Sequence, residues 1–485
     1  MKIYKKLAGQ TIIYGMGTVV PRLLNYAILT FYYTRLFTVE QFGVITELYA
    51  YVTFLMVILT FGTETGFFKF ATDENKDTVF STIATFLFTT SALFIVFIFS
   101  FQSEIAVAME YSGNKEFIGL LSAIVAIDAF SSIGFAKLRL EENGIKFSAL
   151  KIINVIVTIF FVLFFYEWMP KIISRNPYSF FVNLRSDVTY VLLSNLFASF
   201  IVLLLLIPEY IRINFNFRGR LLGEILKYSL PLLVSGLAGI VNETLDRILL
   251  RHLIHNSNDA IYALGIYGAN YKIAVLLLIF IQMFRFAIEP FYFNYYKNKD
   301  YKEVYAQIMR LFISVMVILC MIIMFYLDYI KYFIDAKFHE GLRIVPIILV
   351  SYIFYGIFFN LSIWYKLTKR TIYAMILTSV GAFITIIINI LFVPKYSYLA
   401  SAYGHLISYS IMMIMSYFMG KKYLKINYQL GRIMEYVLVA IAIFALLNFI
   451  RHSLIKDIIC GITIIAYSLY IAKREKLLKK VILFK

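Results

Sequence analysis

The fold is decided by residues 227–296, which read KYSLPLLVSGLAGIVNETLDRILLRHLIHNSNDAIYALGIYGANYKIAVLLLIFIQMFRFAIEPFYFNYY. Two long apolar runs are joined here by a short polar turn, and each run can cross a ~30 Å hydrocarbon layer as an α-helix. Charged residues nevertheless lie inside both runs, namely Glu243, Asp246, Arg247, Lys272, Arg285 and Glu289. A charge at the membrane centre costs roughly 2.5–3.5 kcal/mol on insertion scales, so we expect these side chains to face a partner or a water-filled path.

The whole composition indicates a membrane protein. The chain has 485 residues, of which 61% are hydrophobic and only 15% charged, and its mean hydropathy is +0.80. These values exclude an ordinary soluble globular domain. The formal net charge of +18 is spread over many short loops and forms no single face. This distribution is typical of loop charges in a multi-pass membrane protein, and we therefore expect no nucleic-acid partner.

Apolar periodicity predicts an all-α integral membrane protein with about fourteen transmembrane helices. The predicted spans are 8–35, 42–69, 78–101, 117–137, 147–168, 188–211, 225–251, 260–293, 304–327, 343–365, 371–393, 398–420, 433–450 and 454–472. The N-terminal apolar run shows no small-residue cleavage site, which favours an uncleaved first helix over a signal peptide.

The lysines and arginines orient these spans. With the N-terminus inside, 29 of them fall in predicted inner segments and 12 in outer segments. This bias predicts that both termini are cytoplasmic, in a multi-pass protein of the bacterial inner membrane. The longest outer loop, about 167–187, is too short for an outer-face enzyme domain.

An internal repeat is indicated by a shift of 222 positions, which sets Gly43 on Gly265 and Tyr49 on Tyr271. We predict an N-terminal lobe of six helices at 1–220 and a second six-helix lobe at 221–425. A further transmembrane hairpin and a basic cytoplasmic tail occupy 426–485. Parallel repeats of this kind place a substrate site at the lobe interface, near the membrane midplane.

Three further charges interrupt the predicted spans. Arg22 follows Pro21 midway in the first span, where the proline favours a kink and the arginine cannot easily reach either surface. We expect Arg22 to face the cavity or to form a structural ion pair. Glu64 closes the second span, as an interfacial carboxylate or a functional one. Asp128 has no charged neighbour in sequence, so it requires protonation or a partner on another helix.

The charges of the seventh predicted span share one helical face. Glu243 and Arg247 have the favourable i,i+4 spacing, and Asp246 lies between them on that face. By helical rise, Asp246 is about two turns from the outer end. We expect these three residues to form a charged site near the outer end of the helix, which we call the outer station. Pro231 allows the helix to bend before this site.

The eighth predicted span carries a second charged site, near the inner face of the membrane, which we call the inner station. Arg285 and Glu289 are again i,i+4, and Pro290 is expected to break the helix near the inner face. Lys272 lies about 220° around a regular helix from Arg285, so these two cations occupy different faces.

Motifs that are typical of nucleotide-binding proteins and hydrolytic enzymes are missing from the sequence. It has no phosphate-binding glycine loop, no zinc-protease motif and no nucleophile elbow. The two cysteines have no metal-ligand spacing. Of the five histidines, His252 and His255 are three apart and could share a face, but a loop pair near the interface is favoured over a metal site. We therefore expect no catalytic residue, no cofactor and no metal. Buried cations, carboxylates and bends favour translocation of an anionic amphiphile, driven by an ion gradient or the membrane potential.

Several stretches within about residues 10–300 resemble one transporter family. They are YTRLFT at 33–38 with Gly43, ETGFFKF at 64–70, LRLEEN at 138–143, NETLDR at 242–247, GIYGANYK at 265–272 and FRFAIEP at 284–290. The sequence resembles the polysaccharide transporter family of the multidrug/oligosaccharidyl-lipid/polysaccharide exporter superfamily, which contains the O-antigen and capsule repeat-unit flippases.

The resemblance implies a V-shaped cavity between two six-helix lobes and alternating access. The implied cargo is an undecaprenyl-pyrophosphate-linked oligosaccharide for O-antigen, lipopolysaccharide or capsule biosynthesis in the cell envelope. Membrane lipids and the glycan polymerase and glycosyltransferases of the same pathway are implied partners. The cationic residues expected to meet the pyrophosphate are Arg22, Arg247, Lys272 and Arg285. The carboxylates expected to couple an ion or to balance charge are Glu64, Asp128, Glu243, Asp246 and Glu289.

Two other functions stay open at this point. A cation-coupled drug or small-molecule antiporter of the same superfamily would need an acidic cavity, whereas the charges here are mixed to basic. A membrane-embedded glycan polymerase would need a large outer loop with catalytic residues.

Overall fold

The computed structural model describes residues 19–175, 188–211, 216–448 and 454–475, together with Gly17. All regular elements in these ranges are helices. They are α1 Phe31–Leu36, α2 Val39–Thr60, α3 Thr63–Phe70, α4 Lys76–Ser100, α5 Gln102–Ala108, α6 Glu116–Leu140, α7 Gly144–Leu163, α8 Met169–Arg175, α9 Thr189–Ile211, α10 Gly219–Leu253, α11 Ser257–Tyr295, α12 Tyr301–Phe325, α13 Leu327–Ile330, α14 Val345–Leu361, α15 Ile363–Leu367, α16 Ile372–Tyr396, α17 Tyr398–Tyr423, α18 Leu430–Asn448 and α19 Leu454–Arg474. Two π-helical segments lie at Asn25–Thr30 and Phe164–Trp168, and two 3₁₀ segments at Lys331–Phe333 and Ala336–Ile344.

The prediction of an all-helical membrane protein is confirmed. Within the described part of the chain, 12 helical stretches are long and apolar enough to cross a membrane. Two of the fourteen predicted spans are not among these 12. One is 8–35, of which residues 8–16 and 18 lie outside the described ranges. The other is 398–420, which is helical as α17 but less apolar, because serine, glycine and histidine interrupt it.

Clustering of contacts divides the chain into two compact units, Met1–Gly268 and Ala269–Lys485. The division falls within α11. The predicted lobes 1–220 and 221–425, and the hairpin with its tail at 426–485, rest on the sequence repeat and stay a prediction. Residues 476–485 of that tail lie outside the described residues.

In the first unit, α10 packs along α2, α3 and α4. Helices α6 and α9 pack on each other; α6 also packs on α4, and α9 also packs on α7. The break between α2 and α3 occurs at Phe61 and Gly62, which both adopt left-handed backbone with φ of 49° and 65°. Glycine tolerates this conformation without strain. A Cβ on Gly66, one turn later, would overlap the side chains of Ser229 and Ile225 on α10. Small residues therefore bring α3 close to α10, as is common between membrane helices.

In the second unit, α14, α16 and α17 form a tightly packed group. The hairpin of α18 and α19 packs on α12. Arg310 of α12 makes a bidentate ion pair with Glu475, which follows directly after α19. This buried pair ties the C-terminal hairpin to the unit.

The prediction that Pro290 breaks its helix is wrong. Helix α11 runs without interruption from Ser257 to Tyr295. A proline in a membrane helix removes one backbone hydrogen bond, and neighbouring helices and local adjustments can compensate for that loss. Pro231 likewise lies within a continuous helix, α10.

Glycines allow close packing of α11 on α2, near the end of α11 that is predicted to be outside. A Cβ on Gly265 would overlap the backbone carbonyl of Val39 in α2, and one on Gly268 would overlap Thr46. From the other side, a Cβ on Gly43 would overlap the carbonyl of Ile261. The first turns of α2 and α11 are therefore in backbone contact.

We predict that Gly265→Ala destabilises the protein by about 1–3 kcal/mol, because the added methyl group must push α2 and α11 apart. The matched control is Gly239→Ala, where a Cβ meets nothing within 4 Å and the change should stabilise α10 by about 0.5–1 kcal/mol. Thermal aggregation of the detergent-purified variants measures both effects. Equal stability of the two variants would contradict close packing at Gly265.

Candidate functional site

The first unit contains a cluster of charges at the ends of α3, α6 and α7. Arg139 forms an ion pair with Glu64, and each side chain is a little under half exposed. The guanidinium carbon of Arg139 also lies 5.0 Å from the ring centre of Phe68. We call Glu64, Arg139 and the neighbouring Lys151 the first inner cluster, since they lie near span ends that are predicted to face the cytoplasm.

Local sequence explains how this cluster is positioned. Glu64 lies in the first turn of α3 and Arg139 in the last turn of α6. A carboxylate near a helix N-terminus and a cation near a C-terminus both interact favourably with the helix dipole. The turn after Arg139 ends at Asn143, whose side chain accepts a hydrogen bond from the backbone amide of Lys146 and so begins α7.

Three of the predicted site residues interact with Lys151. Its ammonium group interacts electrostatically with Asp128, Glu64 and Arg22, and it lies 3.9 Å from the ring centre of Phe135. Asp128 in turn interacts with the hydroxyl of Ser199 on α9 as well as with Lys151. Asp128 was expected to require protonation or a partner on another helix, and Ser199 of α9 and Lys151 of α7 provide such partners.

The second unit contains a similar arrangement, which we call the second inner cluster. Glu289 of α11 lies 2.7 Å from the ammonium nitrogen of Lys366 on α15 and 3.7 Å from Nε of Arg285. The i,i+4 pairing of Arg285 with Glu289 is thus confirmed. Phe359 lies 4.9 Å from the Arg285 guanidinium carbon and 5.0 Å from the Lys366 ammonium nitrogen. An aromatic face attracts both cations.

The two inner clusters occupy corresponding places in the predicted repeat. Glu64 and Glu289 end the second and eighth predicted spans, and their separation in sequence is close to the 222-residue offset. Arg139 and Lys366 directly follow the fourth and tenth predicted spans. Each cluster therefore pairs a carboxylate from one helix with a cation from the helix two further on.

The predicted outer station is only partly a charge cluster. Asp246 is fully buried and accepts a hydrogen bond from Tyr267. Arg247 donates to the backbone carbonyl of Glu243 at 2.9 Å, and its Nη1 lies 4.0 Å from an Asp246 carboxylate oxygen. The three residues lie on one face of α10 as predicted.

Lys272 is half-buried on α11. Because α11 is a continuous helix, thirteen residues place Lys272 about 220° from Arg285. The expectation that the two cations occupy different faces is consistent with this helix.

Sequence reasoning assigned Arg139, Lys151 and Lys366 to inner loops and did not single them out. Arg139 does fall within the LRLEEN stretch that carries the family resemblance, which is a signal for it. Lys366 has no such signal, since only folding brings it to Glu289. Among the described residues, no three histidine, cysteine or acidic side chains come together to hold a metal ion.

Comparison with known families gives a match over most of the first three fifths of the chain. A family model described as "polysaccharide biosynthesis protein" matches residues 7–295. No curated protein matches this sequence at a significant level.

Similar folds occur among solved structures. A structure of the lipid II flippase MurJ in an inward closed conformation aligns with a TM-score of 0.73 at 15% identity, over 96% of this chain and 99% of that one. An inward-facing multidrug resistance transporter of the MATE family, in the MOP superfamily, aligns with a TM-score of 0.63 at 13% identity, over 88% of this chain and 99% of that one. A MATE transporter of Vibrio cholerae aligns with a TM-score of 0.58 at 11% identity, over 87% of this chain and 97% of that one. At these identities the comparisons show a shared fold.

Proposed function

The chain belongs to the polysaccharide biosynthesis protein family, and on that premise we propose that it is a flippase for lipid-linked oligosaccharides. The cargo would be an oligosaccharide on undecaprenyl pyrophosphate, moved across the bacterial inner membrane for surface polysaccharide synthesis. Alternating access would be driven by an ion gradient or by the membrane potential. Both termini would be cytoplasmic, as the loop charges predict.

The two inner clusters support this proposal most strongly. The first combines Arg139 and Lys151 with Glu64, and the second combines Arg285 and Lys366 with Glu289. Each therefore has one more cation than carboxylate and suits an anionic head group. An arginine binds two phosphate oxygens at once in a planar fork, while a lysine supplies a compact charge.

The carboxylates would act as counter-ions to the cations of such a site. A cation in a membrane protein is costly without a counter-ion, so Glu64 and Glu289 would stabilise the cations while cargo is absent. A pyrophosphate would then compete with each carboxylate for the same nitrogen atoms. The aromatic rings at Phe68 and Phe359 would keep the guanidinium groups in place during this exchange.

The predicted cavity cations Arg22, Arg247 and Lys272 would extend the path from these clusters. Arg22 interacts with Lys151, so it belongs next to the first inner cluster. Moving one elementary charge across the membrane potential changes its energy by about 2.3 kcal/mol per 100 mV. An anionic cargo would therefore respond to the potential on the predicted inside-to-outside route.

A second candidate is the cation-coupled small-molecule antiporter of the same superfamily. The fold similarity to MATE transporters and the buried carboxylate Asp128 favour it. The surplus of cations in both inner clusters disfavours it, because a cationic drug would be repelled there. A glycan polymerase is the least favoured reading.

We predict that deletion of the gene causes the lipid-linked precursor to accumulate on the cytoplasmic face, with loss of surface glycan. Extraction of undecaprenyl-linked sugars, followed by mass spectrometry and by digestion of outward-facing glycan in intact spheroplasts, measures the amount and the side. The wild-type gene should restore both. Unchanged precursor with normal surface glycan would contradict the flippase proposal.

A further inference from the structure

A buried ionic network joins the ends of α2 and α10 on the side predicted to be outside. Glu47 is fully buried, and one of its oxygens, Oε2, accepts a 2.6 Å hydrogen bond from the hydroxyl of Tyr111. Arg251 is 2% exposed, and its Nε lies 3.3 Å from the same oxygen. The other side of the guanidinium donates to Glu110 at 2.6 Å. Neither Glu47 nor Arg251 is among the site residues predicted from the sequence.

Glu110 lies at the solvent-exposed end of this network. Its side chain is about half exposed, at 52%, and its backbone adopts a left-handed φ of 61°. Hydrogen bonds from Ser257 and from Arg251 lower the pKa of Glu110 below its usual range. Glu110 therefore stays ionised and remains paired with Arg251.

The charges of the network do not balance. Two carboxylates, Glu47 and Glu110, share the single guanidinium of Arg251, and Glu110 makes the shorter contact. The Oε1 oxygen of Glu47 is buried and accepts no hydrogen bond from the described residues. An ionised carboxylate that is buried and incompletely compensated is unfavourable. One added proton makes the network neutral.

Other titratable groups lie close to this network. Tyr51, one turn beyond Glu47 on α2, hydrogen-bonds to His252 of α10 at 2.9 Å. Asp128 of α6, which also packs on α2, interacts with Tyr49 and with Lys151.

We propose that Glu47 is a proton-binding site that controls closure of the outer end of the protein. The proton would reach Oε1 from the outer solution along the half-exposed Glu110 and then the buried Tyr111. It converts the carboxylate to a carboxylic acid, and Arg251 is then left paired with Glu110 alone. This inference rests on the proposed transport function and names one coupling ion and its site.

The packing around Glu47 explains why protonation would matter. Thr46, next to Glu47, contacts Gly268 of α11, and Arg251 and Ser257 connect α10 and α11 to Glu110. Glu47 and Glu110 belong to the predicted N-terminal lobe, whereas Arg251 and Ser257 belong to the second. Loss of the Glu47 charge removes one of the ionic contacts between the two predicted lobes on this side.

The small number of acidic groups in the network favours a proton over a metal cation. Hard cations need several oxygen ligands, and among the described residues no three acidic, histidine or cysteine side chains converge.

The first test is pH-difference infrared spectroscopy of the protein in vesicles of phosphatidylethanolamine and phosphatidylglycerol, with potassium salts. Between about pH 8 and about pH 5, a carboxylic-acid C=O band should appear in the wild type. Glu47→Gln should lack it, and Glu40→Gln, at an exposed position of the same helix, should keep it. If Glu47→Gln fails to fold, Glu47→Asp should shift the band, and an unshifted band would overturn the proposal.

The second test measures opening at the outer end. Thr46→Cys, in a background with Cys320→Ser and Cys460→Ser, is labelled with a membrane-impermeant thiol reagent at one neutral pH. The amide of Glu47→Gln mimics the protonated acid, so labelling should be roughly tenfold faster than with Glu47 present. Glu40→Gln should label at the wild-type rate. Equal rates for all three proteins would overturn the proposed control of closure.

The outcomes separate this site from the proposed function. A Glu47 band without any transport of lipid-linked sugar would remove the flippase proposal and keep the proton site. Transport together with an infrared band that persists in Glu47→Gln would remove the proton site and keep the flippase. Loss of the band on adding sodium chloride at constant pH would overturn the proton assignment in favour of sodium.

Discussion

Replacing Arg139 and Arg285 together by alanine should lower transport of a pyrophosphate-linked sugar roughly 100-fold or more. Each guanidinium would lose charge-assisted hydrogen bonds to the pyrophosphate, worth about 1.5–3 kcal/mol per residue. The double variant also leaves each inner cluster with one lysine against one carboxylate, so the positive surplus that would attract an anionic cargo is lost. The rate of sugar translocation in proteoliposomes, normalised to inserted protein, measures the effect.

Two controls make this first prediction specific. Arg220→Ala removes an arginine whose side chain is 96% exposed and pairs with Glu224 one turn away, and it should leave transport unchanged. Arg139→Lys with Arg285→Lys keeps the charge but loses the planar fork, and it should retain partial activity. Near-normal transport by the double alanine variant would contradict binding of the cargo at the two inner clusters.

The second large effect concerns stability. Arg310 and Glu475 form two parallel hydrogen bonds of 2.9 Å, and Tyr436 adds a third to Glu475 at 2.7 Å. Both members of the pair are at most 6% exposed. Arg310→Ala should therefore destabilise the protein by about 3–5 kcal/mol, because it leaves a buried carboxylate without its partner. Thermal unfolding of the purified protein, followed by size-exclusion chromatography, measures the loss.

The matched control is the pair of Arg474 with Glu435 in the same hairpin. Its side chains are 50% and 32% exposed, so Arg474→Ala should cost only about 0–1 kcal/mol. The double variant Arg310→Met with Glu475→Leu should recover most of the loss, since it removes both buried charges. If Arg310→Ala and Arg474→Ala are equally stable, the buried pair does not hold the hairpin.

This second effect should also depend on pH. Burial opposes ionisation of Glu475, but the hydrogen bonds from Arg310 and Tyr436 prevail and lower its pKa below the usual range. A carboxylate with a lowered pKa in the folded state stabilises the protein above its unfolded pKa of about 4.3, and that contribution disappears in more acidic solution. The difference between the wild type and Arg310→Ala should therefore shrink at low pH.

The membrane-spanning helices could be predicted because long apolar runs have few other structures available in lipid. Local pairs followed from spacing alone, as with Arg285 and Glu289. The partner of Asp128 could be foreseen in kind, because a buried charge needs one, but Ser199 and Lys151 could not be named. Contacts such as Lys366 with Glu289 join residues 77 positions apart and follow from packing rather than from local pattern.

Two errors of assignment have clear physical causes. Arg251 is the last residue of the predicted span 225–251 and was not assigned to any site, yet folding buries it between Glu47 and Glu110. Pro290 was expected to end α11, yet the helix continues to Tyr295. In both places the surrounding helices decide the outcome, and a single span read alone carries no information about them.

The most direct measurement is translocation of an undecaprenyl-pyrophosphate-linked oligosaccharide by the purified protein in proteoliposomes, with an imposed membrane potential or pH gradient. The sugar is made accessible to an enzyme on one side only, so that each transported molecule is cleaved. The account predicts transport that depends on the pyrophosphate and is lost in the Arg139→Ala and Arg285→Ala double variant. Absence of transport under every gradient, or efflux of a small organic cation instead, would contradict it.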